Sequence, residues 1–309
     1  MKVPYFLAIA TVLLCTVLTS CNRASINTTS PETVLVAEPL NSTNDAVNDP
    51  LEKIWRNEGE FEYLDYSFEN KCQELPENTQ DCYVTIRRNG KKLFDEYFDH
   101  TREEWQRIGF LKVLNTKNDQ AIIQLYSGGA HCCLDYVIYD LEPEFRPIYD
   151  SRGPDRISIV DELRPVDLNG DGIMEFLRLV GSFDYLSPYG HAGASFPPAI
   201  FEYDNTSGKF ELANKKYPDV VLKSLRSQID AYPDWITDNA KYGTVITPED
   251  VREDLVRSTF VYWVYAGKKD EAWKYFDENY TFPNHEKYRK DFLRLFQEDP
   301  TYRSIYGTK

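Results

Sequence analysis

The sequence predicts an α+β protein: a mainly antiparallel β domain, blade-like or a sandwich, followed by a small α-helical C-terminal domain. Three observations predict it. From Glu60 to about Asn214, short runs of alternating apolar and polar residues are separated by Gly, Asn and Asp turns, the period-2 signature of half-buried strands. Past Lys215 the apolar residues fall at helical spacing instead. The chain also has 309 residues, 42% hydrophobic and 14% aromatic, which supplies enough apolar surface for a sizeable core.

Taken in order, Tyr83 to Ile86 leads through Asn89-Gly90 into Lys91 to Phe94, and an Asn-Gly pair between such runs is a strong hairpin signal. Ala121 to Tyr126, Tyr136 to Tyr139, Phe145 to Tyr149, Phe176 to Val180, Ala199 to Tyr203 and Lys209 to Leu212 continue as strands. A weak internal repeat places Asn115 on Asp167 and Asp119 on Asp171, an offset of 52 residues. A period near this length suits propeller-type blades. Two copies cannot close a propeller, so an open twisted sheet or a sandwich of blade-like units is expected. Convergence on a common strand–turn–strand pattern would look the same.

In the C-terminal part, Val221, Leu222, Leu225 and Ile229 share one helical face. Thr247-Pro248-Glu249-Asp250 has the grammar of a helix start: a capping hydroxyl, Pro in the first turn and acids against the dipole. Val251, Leu255, Phe260 and Val264 follow, and Gly267 fits as the stop. Glu271 to Asn279 and Tyr288 to Gln297 make two more helices, and Asp299-Pro300 restarts a last turn. The Tyr265-Ala266-Gly267 turn before Glu271-Ala272-Trp273 is similar to the inter-helix turn of tetratricopeptide repeats. No second copy follows, so a plain helical hairpin is expected.

Charge excludes some functions. Fifty Asp and Glu against 35 Lys and Arg leave a formal net charge of −15, the opposite of the basic footprint that nucleic-acid binding or docking on anionic lipid requires. The excess sits in residues 21–247, with 38 acids against 23 bases.

Residues 1–20 read as a leader. Lys2 precedes an uncharged run from Tyr5 to Leu18 that is short for a bilayer span. The run closes in Leu18-Thr19-Ser20-Cys21, which resembles the lipobox of bacterial lipoproteins. The resemblance implies cleavage before Cys21, lipid attachment at Cys21, and anchoring of the protein to a membrane of the bacterial cell envelope. Asn22 in place of a retaining Asp implies the outer membrane or cell surface. Residues 21–50 hold the lipid site and a tether rich in Ser, Thr, Asn and Pro, without an aromatic residue. A flexible tether of this length gives a standoff of about 30 Å. The β domain then spans residues 51–214 and the helical domain 215–309.

The sharpest motif is Asp167-Leu168-Asn169-Gly170-Asp171-Gly172-Ile173-Met174-Glu175. Oxygen side chains at alternate positions, with Gly at position 6, are what a hard cation needs from a tight loop. Asp167, Asn169 and Asp171 would supply side-chain oxygens, Ile173 its carbonyl, and Glu175 a carboxylate directly or through water. Arg178 stands where an EF-hand requires its twelfth-position acid. The loop between strands resembles the calcium loops of FG-GAP and VCBS-type β repeats, which implies one calcium ion. In the earlier copy, Lys117 and Ile123 stand opposite Asn169 and Glu175, so that copy is expected to be metal-free.

Besides Cys21, the mature chain has Cys72, Cys82, Cys132 and Cys133, an even number that suggests disulfides in an exported protein. Cys72–Cys82 would close a hairpin loop and leave a vicinal Cys132–Cys133 bridge; the alternative ties each of the first pair to one of the second. Ser127 to Cys133, with His131, lacks the Gly-x-Ser-x-Gly elbow and any zinc spacing. Tyr189 and His191 lie in a Gly/Ala-rich loop that suits ligand contact. The expected function is a calcium-stabilised, non-catalytic binding or scaffold module for a protein or glycan ligand. The alternative is an envelope hydrolase using the His131 and His191 loops.

Overall fold

Asn89 and Gly90 adopt φ of 50° and 76°, the left-handed pair that lets a two-residue turn follow the twist of its strands. They join β3 (Gln80–Arg88) to β4 (Lys91–Thr101), as the sequence predicts. The computed structural model describes residues 54–55, 59–74, 80–101, 107–126, 134–152, 163–184, 186, 194–241 and 245–307. Among these, strands come in three antiparallel sheets of four, each with its strands in consecutive order. The first sheet also contains β1 (Gly59–Tyr63) and β2 (Tyr66–Glu74). The second comprises β5 (Arg107–Leu111), β6 (Gln120–Tyr126), β7 (Leu134–Asp140) and β8 (Arg146–Asp150). The third comprises β9 (Arg164–Val166), β10 (Glu175–Leu179), β11 (Pro198–Asp204) and β12 (Lys209–Leu212).

The sheets pack face to face, because both faces of the middle sheet are apolar. Successive side chains on a strand point to opposite faces. Ala121, Ile123, Leu125, Val137 and Tyr139 pack with Tyr66, Phe68, Val84, Ile86 and Phe94 of the first sheet. Ile122, Tyr136 and Ile138 join a second core with Phe176, Phe201 and Phe210 of the third. Tyr149 meets Phe176 and Phe201 at ring separations of 5.7 and 5.1 Å. Each large side chain so buried contributes roughly 1.5–3 kcal/mol. Arg146 bridges the two sheets, donating to Asp140 and the Tyr203 hydroxyl, both at 3.0 Å, and to the Gly208 carbonyl at 2.7 Å.

Five helices follow: α1 (Pro218–Lys241), α2 (Pro248–Tyr265), α3 (Lys269–Asn279), α4 (His285–Glu298) and α5 (Pro300–Tyr306). Thr247 forms a reciprocal capping box with Asp250 at the start of α2, and Asp299 caps α5 through the Tyr302 N–H at 2.8 Å. Gly267, at φ 82°, ends the α2 turn. One expectation is corrected: Ile229 is exposed, and the buried stripe of α1 runs Val221, Leu225, Tyr232. Tyr232 takes the inward place because its hydroxyl donates to buried Asp254.

The change at residue 214 is one of secondary structure, with packing continuous through it. Asn214 accepts from Ile200 N and donates to the Pro198 and Tyr265 carbonyls, at 2.8, 2.8 and 3.0 Å. Phe260, Phe276, Phe292 and Phe296 share one core with Phe176 and Ile200.

Candidate functional site

The loop from Asp167 to Glu175 joins β9 to β10 on the third sheet. Gly170 and Gly172 take φ of 78° and 81°, which curls the backbone so that its N–H groups turn toward the loop's own side chains. Asp167 accepts from Gly170 N at 2.7 Å through one carboxylate oxygen and from Gly172 N at 3.0 Å through the other. Asn169 accepts from Asp171 N at 2.9 Å, and Asp171 from Ile173 N at 2.8 Å. The structure thus turns the first three predicted oxygens onto one loop. A carboxylate offers about four lone-pair positions, so these bonds leave acceptor capacity on both aspartates.

Glu175 is placed differently. It is buried beneath the loop, 1% exposed. Its Oε2 accepts from Leu168 N at 2.7 Å, and its Oε1 from Asn169 Nδ2 and the Tyr217 hydroxyl, each at 3.2 Å. Burial pushes its pKa up, against the hydrogen bonds that favour the charged form. Direct coordination by Glu175 would exchange some of these bonds, whereas a bridging water would leave them in place. The single Tyr217 O–H proton is shared between Glu175 and Glu202, the latter closer at 2.9 Å, and Glu202 pairs with Lys216. Among the described residues, no three His, Cys, Asp or Glu side chains are grouped closely enough to form a metal cluster.

The strands on either side of the two turns correspond, but at a different offset. Leu111 and Val166 end the first strands, and Gln120 and Glu175 begin the second; both pairs are 55 residues apart, not 52. Gln120 Oε1 accepts from Val113 N and Leu114 N at 3.0 and 3.1 Å, the bond Glu175 makes to Leu168 N. Gln120 is therefore the partner of Glu175, and Leu114, not Lys117, stands opposite Asn169. The 52-residue alignment followed the acidic turn letters; the strand ends set the true register. The two loops also touch: Met174 N donates to the Val113 carbonyl at 2.8 Å and Asn115 Nδ2 to the Asp171 carbonyl at 3.3 Å.

No protein-family model and no curated protein matches this chain.

Cys72 and Cys82 face each other across β2 and β3, with Cα atoms 4.0 Å apart, and are disulfide-bonded. Closing a loop of this size is worth about 2–3 kcal/mol in the chain-entropy account. Cys21, Ser127, His131, Cys132, Cys133, Tyr189 and His191 lie outside the described residues. Among the described residues, no helix is long and apolar enough to cross a membrane. His285 stacks on Phe276 at 5.2 Å and lies 3.4 Å from both Asp277 and Glu286.

Sequence reading missed a buried polar cluster on α2. Asp254 and Arg257, each with a side chain 4% exposed, pair at 2.7 Å. Arg257 also donates to the Tyr288 hydroxyl at 2.8 Å and lies over its ring at 4.9 Å. Ser195 and Ser258 hydroxyls meet nearby at 2.9 Å. Burial raises the Asp254 pKa, with Arg257 opposing. The i, i+3 spacing was the available signal, but that spacing also marks ordinary surface pairs.

Proposed function

We propose that this protein is an exported, lipid-anchored binding or scaffold module of a bacterial envelope, with a calcium-type loop that stiffens its third sheet. The observation that carries the cation is the turned-in set of Asp167, Asn169 and Asp171 on a two-glycine loop. With the Ile173 carbonyl they form the hard-oxygen donor set that calcium prefers, and Glu175 adds negative charge from beneath. A bound ion would neutralise these carboxylates and hold β9 to β10. The Cys72–Cys82 disulfide supports export, since such bonds persist in oxidising compartments. The lipobox-like Leu18-Thr19-Ser20-Cys21 supports the anchor.

The test is thermal unfolding of the full chain in detergent, with calcium and with chelator. A calcium concentration a hundredfold above the dissociation constant is expected to stabilise by about 2.7 kcal/mol. Asp171→Ala should abolish the shift while leaving the chelated midpoint nearly unchanged. Equal midpoints for the native chain across millimolar calcium would sink the cation. For the anchor, Cys21→Ser is expected to move the protein from the membrane fraction into the soluble extract of a bacterial host, and an unchanged distribution would refute lipidation there.

A further inference from the structure

The outer face of the first sheet carries two large exposed rings in an otherwise ionic surface. Tyr83 on β3 and Tyr97 on β4 are direct cross-strand partners, 42% and 50% exposed. Their ring centroids lie 5.0 Å apart and their planes are inclined by 46°. The Tyr97 hydroxyl donates to Asp81 at 2.6 Å, which fixes that ring's orientation. Around the rings each lysine and arginine is held by a carboxylate. Lys71, opposite Tyr83 on β2, lies between Glu60 and Glu69 at 2.7 and 2.6 Å. Arg87 reaches Glu69 and Lys92 reaches Asp95, both at 2.7 Å. The Cys72–Cys82 bridge lies one residue along from the Lys71–Tyr83 pair and pins the β2–β3 register covalently.

We propose that this face binds a neutral carbohydrate, one sugar unit of a glycan resting on Tyr83 and Tyr97 while Asp81, Glu69 and Asp95 accept its hydroxyls. This rests on the binding-module reading above and names its ligand class. The negative face of an aromatic ring attracts polarised C–H groups such as those on one side of a pyranose. The ring spacing gives a shallow seat about one sugar wide, not a long groove. The lysines and arginines are already held by carboxylates, and Asp81 is a carboxylate beyond those pairs, so the face carries a small negative surplus that disfavours an anionic sugar. What it offers is ring surface and carboxylate oxygens, the complement of a neutral polyol. A protein partner would need a contiguous apolar interface core, and here two rings stand among ion pairs. The disulfide and the Tyr97–Asp81 bond hold the seat before binding, which lowers the ordering cost.

The experiment is calorimetric titration of the full chain, in a detergent without a sugar headgroup, with maltohexaose, cellohexaose, chitohexaose and mannohexaose. At least one is expected to bind with a dissociation constant at or below about 1 mM. Y83A/Y97A should weaken it at least about tenfold, and Y83F, which keeps both rings and the Tyr97–Asp81 bond, should stay within about threefold. Saturation of the tyrosine ring protons in the native chain should also transfer to the sugar C–H protons, a readout that needs no variant to fold. No binding by the native chain up to about 10 mM, binding that survives the alanine pair, or no transfer from tyrosine overturns the proposal. A blank sugar titration beside a calcium-dependent midpoint would remove the carbohydrate site and leave the cation-stabilised module standing.

Discussion

Arg257→Met is expected to destabilise the protein by about 3–5 kcal/mol. It strips the cation from Asp254, which is 3% exposed, and leaves a buried carboxylate with the Tyr232 hydroxyl as its remaining donor among the hydrogen bonds described above. Adding Asp254→Leu removes the stranded charge, so the double variant should recover a large part of the loss. Urea unfolding at neutral pH measures both. A single variant within about 1 kcal/mol of native, or a double variant worse than the single, would refute the account. The pH dependence has a definite sign. Burial raises the folded Asp254 pKa above its unfolded value, so the native state holds the proton longer. This group's contribution is most favourable below the unfolded carboxylate value and declines as pH rises through the folded one. Without Arg257 the decline should be steeper.

Phe260→Ala is expected to cost about 3–5 kcal/mol. Phe260 is fully buried, with ring centroids of Trp273, Phe276 and Phe292 at 4.6, 4.9 and 4.7 Å, so truncation opens a cavity walled by rings that cannot easily collapse. Its core is shared with Phe176 and Ile200 of the third sheet. Far-ultraviolet signals from helix and strand should therefore fall together, at a lower midpoint, in one transition. Helices that melt well before the strands would mean that the two regions are energetically separate despite their common core.

The fold was legible where one rule governs a segment. Asn89-Gly90, Thr247-Pro248 and Asp299-Pro300 each carry a local backbone requirement, and each element boundary falls beside them. Elements with weak local signals went unnamed: β9 has only three residues, and β5 is broken by Gly109. That glycine answers to a tertiary need, because a Cβ there would sit 2.9 Å from Ile54 side-chain carbons and 3.0 Å from Trp55. The alignment of the repeat erred for a related reason. Turn letters tolerate shifts, whereas the buried Gln120 and Glu175 side chains, which bond their own loops, reveal the register only in three dimensions. At the candidate site the three loop oxygens were readable from spacing. The burial of Glu175 was not, since it depends on Tyr217 forty-two residues away.

Face-to-face stacking of consecutive meanders makes the β region a one-dimensional array, and an array needs ends. Its middle member is apolar on both sides and would present a bare surface if either neighbour were absent. At one end the helices serve as a terminal cap. At the other, the ion-paired outer face of the first sheet does the same, much as polar capping repeats terminate solenoids. Among the described residues the array stops at three: a fourth meander laid against the first would have to strip water from Lys71, Glu69, Arg87 and Asp95.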